Sequence, residues 1–241
     1  EFKYGYSFRD AGVYSDSGIG GGIIGAFSNG APVEAWLVGG AKINTKGQRN
    51  SFYVGDTITA GRLVVNAGLR YDNQKSWNTG GTTPGVPVLP TLFPPLNSAE
   101  SAKYTWNTLS PRLGITYDLS GDGRTIVRAS YNRYGSQQNA GQFDSIDPVG
   151  VYREVDLDWF DLNGNNLVDS GEIGDALWAS GGWDPDNPGA PSQNVIGDQG
   201  SPWNSEILIG LERELSRDFA IGGNFVYRKN TNFNWTHRIG E

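Results

Sequence analysis

The 241-residue sequence lacks cysteine and methionine altogether and contains a single histidine, His237. Without cysteine, neither a disulfide framework nor a thiolate metal site is available. A Ser-His-Asp triad or a histidine-rich metal site would have to use His237, which we interpret instead as a surface-loop residue. We therefore do not expect the chain to be an enzyme.

Long apolar runs and an excess of positive charge are also missing. No apolar run approaches the roughly 20 residues that a membrane-spanning helix needs, which excludes a helical membrane protein. The net charge is −7 and no basic stripe is present, which argues against a nucleic-acid partner. Glycine is abundant (35 residues) and aromatic residues make up 12% of the chain, a composition that favours strands and turns over helices.

The stretch from Arg62 to Gln74 shows the pattern around which the sequence is organised. Its odd-numbered positions from Leu63 to Tyr71 are apolar or aromatic, and its even-numbered positions include Arg70 and Asp72. Because side chains alternate across a strand, this pattern predicts a strand with one apolar and one polar face. The same alternation predicts strands at 2–8, 50–59, 109–119, 125–135, 206–215 and 219–227.

The predicted connections alternate between short and long. Tight turns are predicted near 60–61, 120–123 and 216–218, and long loops near 15–31, 78–103 and 136–203. This alternation is the rule in outer-membrane barrels and uncommon in compact soluble domains. A further predicted strand at 32–38 does not fit the alternation, so we assign it to the outside loop.

Nearly all strand charges fall on the polar faces. The exceptions are Arg133, Arg213 and Lys229, which lie near strand ends.

Three segments resemble the barrel of TonB-dependent outer-membrane receptors, in particular the Oar-like branch. They are SFYVGDTITAGRLVVNAGLRYD (51–72), LSPRLGITYDLSGDGRTIVRASYNRYG (109–135) and EILIGLERELSRDFAIGGNFVYRKN (206–230), about half of the chain. The resemblance implies an antiparallel transmembrane β-barrel of 22 strands that encloses a plug and takes up a scarce ligand with energy from the inner-membrane TonB complex.

On this interpretation the chain is an internal fragment of a Gram-negative outer-membrane receptor. Residues 1–241 would form about seven or eight strands of one all-β barrel domain and include no plug. The implied partners are outer-membrane lipid, the TonB complex through an N-terminal part outside this chain, and a small-molecule, peptide or glycan ligand.

The sharpest local motif is DLNGNNLVDSGE, residues 161–172. Oxygen ligands fall at positions 1, 3, 5, 9 and 12 of the motif, and position 7 would offer its backbone carbonyl. The spacing matches the EF-hand calcium loop and predicts a Ca²⁺ site. The ligands would be Asp161, Asn163, Asn165, Leu167, Asp169 and Glu172.

Two features leave this motif open to another interpretation. Asn166 replaces the usual glycine at position 6, although asparagine tolerates a left-handed backbone best among the other residues. Flanking helices are not expected, since Asp175 to Ser180 could form at most a short helix. The same residues could also form a solvated acidic turn without a metal.

Two other functional classes fit parts of the sequence. One is a secreted, calcium-stabilised β-sandwich that binds glycans, because its strands would share the half-apolar pattern and the loop tryptophans could stack on sugar rings. The other is a passive or adhesive outer-membrane barrel without a plug.

Overall fold

The computed structural model describes residues 1–180, 183–195 and 199–236; His237 lies outside them. Thirteen strands and three short 3-10 helices occur in this part of the chain. The strands are β1 Phe2–Ser17, β2 Ile23–Ser28, β3 Ala31–Val38, β4 Ala41–Ala60, β5 Leu63–Asn78, β6 Gly81–Thr83, β7 Leu96–Ser98, β8 Tyr104–Asp118, β9 Thr125–Gly135, β10 Glu154–Trp159, β11 Ile173–Ala179, β12 Trp203–Ser216 and β13 Phe219–Thr231. The 3-10 helices are Gly20–Gly22, Ala140–Ile146 and Pro148–Gly150. Among the described residues, no helix is long and apolar enough to cross a membrane.

Seven long strands form one antiparallel sheet in the order β1-β4-β5-β8-β9-β12-β13. Successive strands are hydrogen-bonded neighbours, so the sheet is a meander with short connections at one end and long excursions at the other. At the turn between β8 and β9, the Asp118 carboxylate accepts hydrogen bonds from the backbone N–H groups of Gly121 (2.8 Å) and Gly123 (2.9 Å). Both glycines have φ near +80°, a conformation that glycine adopts without a side-chain clash.

The two faces of this sheet differ as the alternation predicted. Leu69, Leu113 and Ile209 lie on the apolar face and remain 42%, 49% and 51% exposed. A sandwich would bury this face under a second sheet. The sheet does not close, since β1 and β13 form its two edges. The fold is therefore all-β and antiparallel, with an uncovered apolar surface running across seven strands.

The long excursions form a smaller structure of their own. Strands β2, β3, β10 and β11 make a four-stranded antiparallel sheet in the order β11-β10-β3-β2, and β6 pairs with β7. One face of the four-stranded sheet packs on a buried apolar cluster that includes residues of the loop between β6 and β7. Its buried members are Ala35, Leu37, Val86, Phe93, Val151, Val155, Leu157, Trp159 and Trp183. The interpretation of 32–38 as a strand of the outside loop is confirmed.

Several predicted boundaries are wrong, and in each case the structure contains more strand than was predicted. The predicted loop at 15–31 contains the end of β1 and all of β2, and the region of 175–180 is strand β11 rather than a short helix. The predicted loops at 78–103 and 136–203 likewise contain short strands. Strands β1, β4 and β5 also continue beyond the apolar alternation at their long-loop ends. There polar residues occur on both faces, so the regular apolar periodicity that marks a strand is lost although backbone pairing continues.

Candidate functional site

The long-loop edge of the apolar face is marked by tyrosine–asparagine pairs. The hydroxyl of Tyr6 donates to Oδ1 of Asn50 (2.7 Å), and the hydroxyl of Tyr71 donates to Oδ1 of Asn107 (2.8 Å). A tyrosine with its ring among apolar neighbours and its hydroxyl on a polar side chain suits a lipid–water boundary.

Arg133, one of the charges predicted to break the polar pattern, lies close to this boundary. The guanidinium of Arg133 lies 3.8 Å from the centre of the Trp203 ring. A cation held over an aromatic face near the interface is much less costly than one at the middle of a membrane.

On the opposite face, charged side chains are paired with one another. Arg70 Nε lies 2.9 Å from Asp72 Oδ2, and the Ser51 hydroxyl donates to Asp72 Oδ1 (2.5 Å). Arg128 pairs with Glu212, and Arg228 pairs with Glu206 across β12 and β13. These charges share one face, so Arg70 and Asp72 lie on the polar side that the alternation predicted.

Small side chains open a groove on this polar face. Gly55 lies opposite Gly68 in the register of β4 and β5, and Gly114 follows on β8. The groove has a volume of about 510 Å³, and Arg70 and Arg112 also line it.

The segment 136–150 folds back over the polar face at the long-loop end. Gln74 donates through Nε2 to the carbonyl of Ser136 (3.0 Å) and accepts from the backbone N–H of Gln138 (2.9 Å). Asn78 Nδ2 donates to the carbonyl of Phe143 (2.8 Å), whose ring stacks on Tyr104 at 3.9 Å. This inward fold was not predicted from the sequence. The available signal was the run of polar residues at 74, 76 and 78, which extends the polar face beyond the apolar one.

Residues 161–172 form the connection between β10 and β11. The Asp161 carboxylate accepts from the backbone N–H groups of Asn165 (3.1 Å) and Asn166 (3.0 Å), and Glu172 Oε1 accepts from that of Leu162 (2.9 Å). The side-chain oxygens of Asn163 and Asn165 each accept from the N–H two residues further on. The predicted ligand residues are thus brought together, although between strands instead of helices.

The carboxylates alone do not form a metal cluster. Nowhere in the described residues do three or more His, Cys, Asp or Glu side chains gather closely enough to hold a metal. Any cation here would depend on the amide and backbone oxygens as well. Asn163 and Asn165 direct their side-chain nitrogens to Asp169 Oδ2, each at 3.0 Å.

The solvent face of the four-stranded sheet carries aromatic and acidic side chains side by side. Trp178, Asp156 and Trp36 lie opposite one another on β11, β10 and β3. Both tryptophans are exposed, and Trp36 Nε1 donates to Glu34 Oε2 (3.1 Å). Burial, with the nearby charges of Glu154 and Glu34, raises the pKa of Asp156. Such a surface can stack on ring-bearing ligands and attract positively charged ones.

Comparison with known proteins agrees with the architecture. No curated protein matches the chain significantly. A family model described as an outer membrane beta barrel domain matches residues 6–239, almost the whole chain. Together with the exposed apolar face, this match rules out the secreted sandwich. A soluble sandwich would bury such an extended apolar surface instead of exposing it to water. The chain belongs to the outer membrane beta barrel family and is located in the outer membrane.

Proposed function

We propose that this chain is part of a TonB-dependent receptor of the Oar-like branch, which takes up a ligand across the outer membrane with energy from the inner membrane. Support comes from the resemblance of segments 51–72, 109–135 and 206–230 to that branch, and from the outer membrane beta barrel family match. The role is transport, not catalysis.

The observation that carries the proposal is the groove on the polar face. In barrels of about eight strands, the side chains themselves fill the interior. Here Gly55, Gly68 and Gly114 leave space beside the paired charges. A polar face with open space of this kind suits the wall of a large barrel that holds a separate plug.

The two open edges point to the same kind of assembly. In lipid, every backbone N–H and C=O group needs a partner within the protein, so the edges β1 and β13 require further strands. On our proposal these strands, the plug and the segment that contacts TonB belong to the rest of the receptor.

The ligand is a small molecule, peptide or glycan that first meets the long-loop side. The surface formed by Trp36, Asp156 and Trp178 is our candidate for that contact, because the two rings are exposed on either side of the half-buried Asp156. Ring-bearing or positively charged groups would be favoured there.

Conductance measurements test the proposal against a passive barrel. We expect the full-length protein in a planar bilayer with KCl to show no steady conductance, since a plug would block the interior. Reversible denaturation of the plug with urea should then open channels. The purified periplasmic domain of TonB should bind the full-length protein. Open channels without urea, together with no TonB binding, would contradict energised uptake and favour a porin-like barrel.

A further inference from the structure

We infer that residues 161–172 bind one Ca²⁺ ion and that this ion clamps the β10–β11 hairpin of the four-stranded outer sheet. The site lies outside the polar groove and is independent of the transport proposal. Its ligands would come from one continuous loop. The bound ion would make the long excursion that contains this loop more ordered.

The backbone of the loop already follows the course that a wrapped cation requires. The Asp161 carboxylate accepts hydrogen bonds from the backbone N–H groups of Asn165 and Asn166. The chain therefore turns around Asp161, the residue at position 1 of the motif. The oxygens of Asn163 and Asn165 are each held by one backbone N–H. An amide oxygen has two lone pairs, so each can still accept a cation.

Glu172, at position 12, provides the observation that points to a ligand. Its side chain is only 5% exposed, and Oε1 accepts from the backbone N–H groups of Leu162 (2.9 Å) and Asn163 (3.2 Å). Its second oxygen, Oε2, is buried without a hydrogen-bond partner. A buried carboxylate oxygen without a partner is energetically costly. Coordination by a cation would supply the missing partner, as the last glutamate of a calcium loop does.

Position 6 of the motif also has the required backbone. Asn166 has φ +58°, and Gly164 has φ +73°. The left-handed turn that glycine usually makes in this loop type is therefore made by asparagine, the residue that tolerates it best after glycine.

The charge of the loop favours a divalent cation. Asp161, Asp169 and Glu172 contribute three negative charges, and the loop contains no Lys or Arg. None of the ion pairs found among the described residues involves these three carboxylates. Oxygen-only ligands in a flexible loop suit Ca²⁺ better than Mg²⁺, which demands a near-ideal octahedron. With only three carboxylates, a Kd of about 10⁻⁴ M is expected, as in extracellular modules.

The loop is attached to the core of the outer sheet on both sides. Val168 and Ile173 pack against the buried cluster, and Trp159 at the end of β10 belongs to it. The backbone N–H of Phe160 donates to the carbonyl of Glu172 (2.9 Å) and closes the hairpin. A cation at Glu172 would therefore hold the ends of β10 and β11 together.

The test measures binding of CaCl₂ alone to the full-length protein in detergent by isothermal titration calorimetry. We expect one site with a Kd of about 10⁻⁴ M. Hydrogen exchange should slow on Ca²⁺ addition at the amides of β10 and β11, and remain unchanged in β5 and β8. Glu172→Gln should weaken binding at least about tenfold, because it removes the charged, two-oxygen ligand.

Three further variants keep the result interpretable. Asp175→Asn removes one negative charge three residues away, on an exposed position of β11, and should bind Ca²⁺ as the wild type does. Asn166→Gly should retain binding, whereas Asn166→Val should lose it, because a β-branched residue resists a positive φ. Absence of binding at 1 mM Ca²⁺, about ten times the expected Kd, would overturn the site. Equal affinities of the wild type and Glu172→Gln would overturn its location.

Discussion

Asp144 lies on the first 3-10 helix of the segment that covers the polar face. Burial, reinforced by the negative charge of Asp147, raises the pKa of Asp144 to about 6. The backbone N–H of Asp147 donates to the carbonyl of Asp144 (3.1 Å), so the two acidic residues share one tight turn. The segment that closes over the interior thus contains a carboxyl group that takes up a proton near neutral pH.

We expect this segment to become more stable as the pH falls from 7 to 4. The pKa of Asp144 is about 6 in the folded protein and near the ordinary aspartate value of 3.8 when unfolded. The folded state therefore binds the proton more tightly, and the gain is complete below the unfolded value and lost as the pH rises through 6. After allowance for solvent screening, its size is on the order of 1 kcal/mol.

Hydrogen exchange of residues 136–150 at pH 5 and pH 7.5 measures this effect. Asp144→Asn should abolish the pH dependence, and Asp186→Asn, on an exposed residue of the same excursion, should leave it unchanged. A pH dependence that survives in Asp144→Asn would assign it to another group.

Arg153 connects the elements of the outer structure. Its side chain is fully buried just before β10, and Nη2 donates to the carbonyl of Gly39 and to the Thr83 hydroxyl, both at 2.9 Å. Nη1 donates to the carbonyl of Pro94 (3.3 Å). Three separate parts of the chain thus meet at one guanidinium, and burial lowers its pKa.

Arg153→Met should loosen the outer structure and leave the barrel intact. Methionine keeps much of the volume but leaves three acceptors, two of them in buried hydrogen bonds, without their donor, at a cost of about 2–4 kcal/mol to the outer structure. Limited proteolysis should cut the excursions faster, while the folded barrel keeps its heat-dependent mobility on a denaturing gel. Arg124→Met, at an exposed turn, serves as the control. Unchanged proteolysis would show that Arg153 does not hold these elements together.

Across the whole molecule, the two faces of the seven-stranded sheet meet different surroundings. Ile209 lies on the lipid-facing side of β12, between Ala129 and Phe225, and Leu208 lies on the interior side. The adjacent pair offers a direct comparison, because both are aliphatic side chains at the same depth.

Ile209→Arg should lower the free energy of unfolding in lipid by about 2–4 kcal/mol, the penalty for a charge near the middle of the membrane. Leu208→Arg should change it by less than about 1 kcal/mol, since its side chain enters a polar interior. Urea titration of the full-length protein folded into liposomes measures both values. Equal penalties for the two variants would contradict the assignment of the faces.

Much of the barrel wall could be predicted from the sequence, and much of the outer structure could not. The alternation from Leu63 to Tyr71 is a local property, so the strand and its two faces follow without tertiary information. The pairing of β3 with β10 joins residues more than 100 positions apart, and β11 lacks a regular alternation. Nothing local specifies such contacts, so β3 was predicted as a strand without its partner, and β10 and β11 were expected to be loop.

The sequence by itself determined the all-β class, the apolar and polar faces, the alternating connections and the spacing of the calcium-type loop. Each depends on period, composition or the order of nearby residues. Only the tertiary structure decided that 136–150 folds over the interior, that Arg153 joins three excursions, and that the second oxygen of Glu172 is buried without a partner. Burial and long-range pairing depend on which distant segments of the chain come into contact. The periodicity of apolar residues and the spacing of motif residues do not encode those contacts.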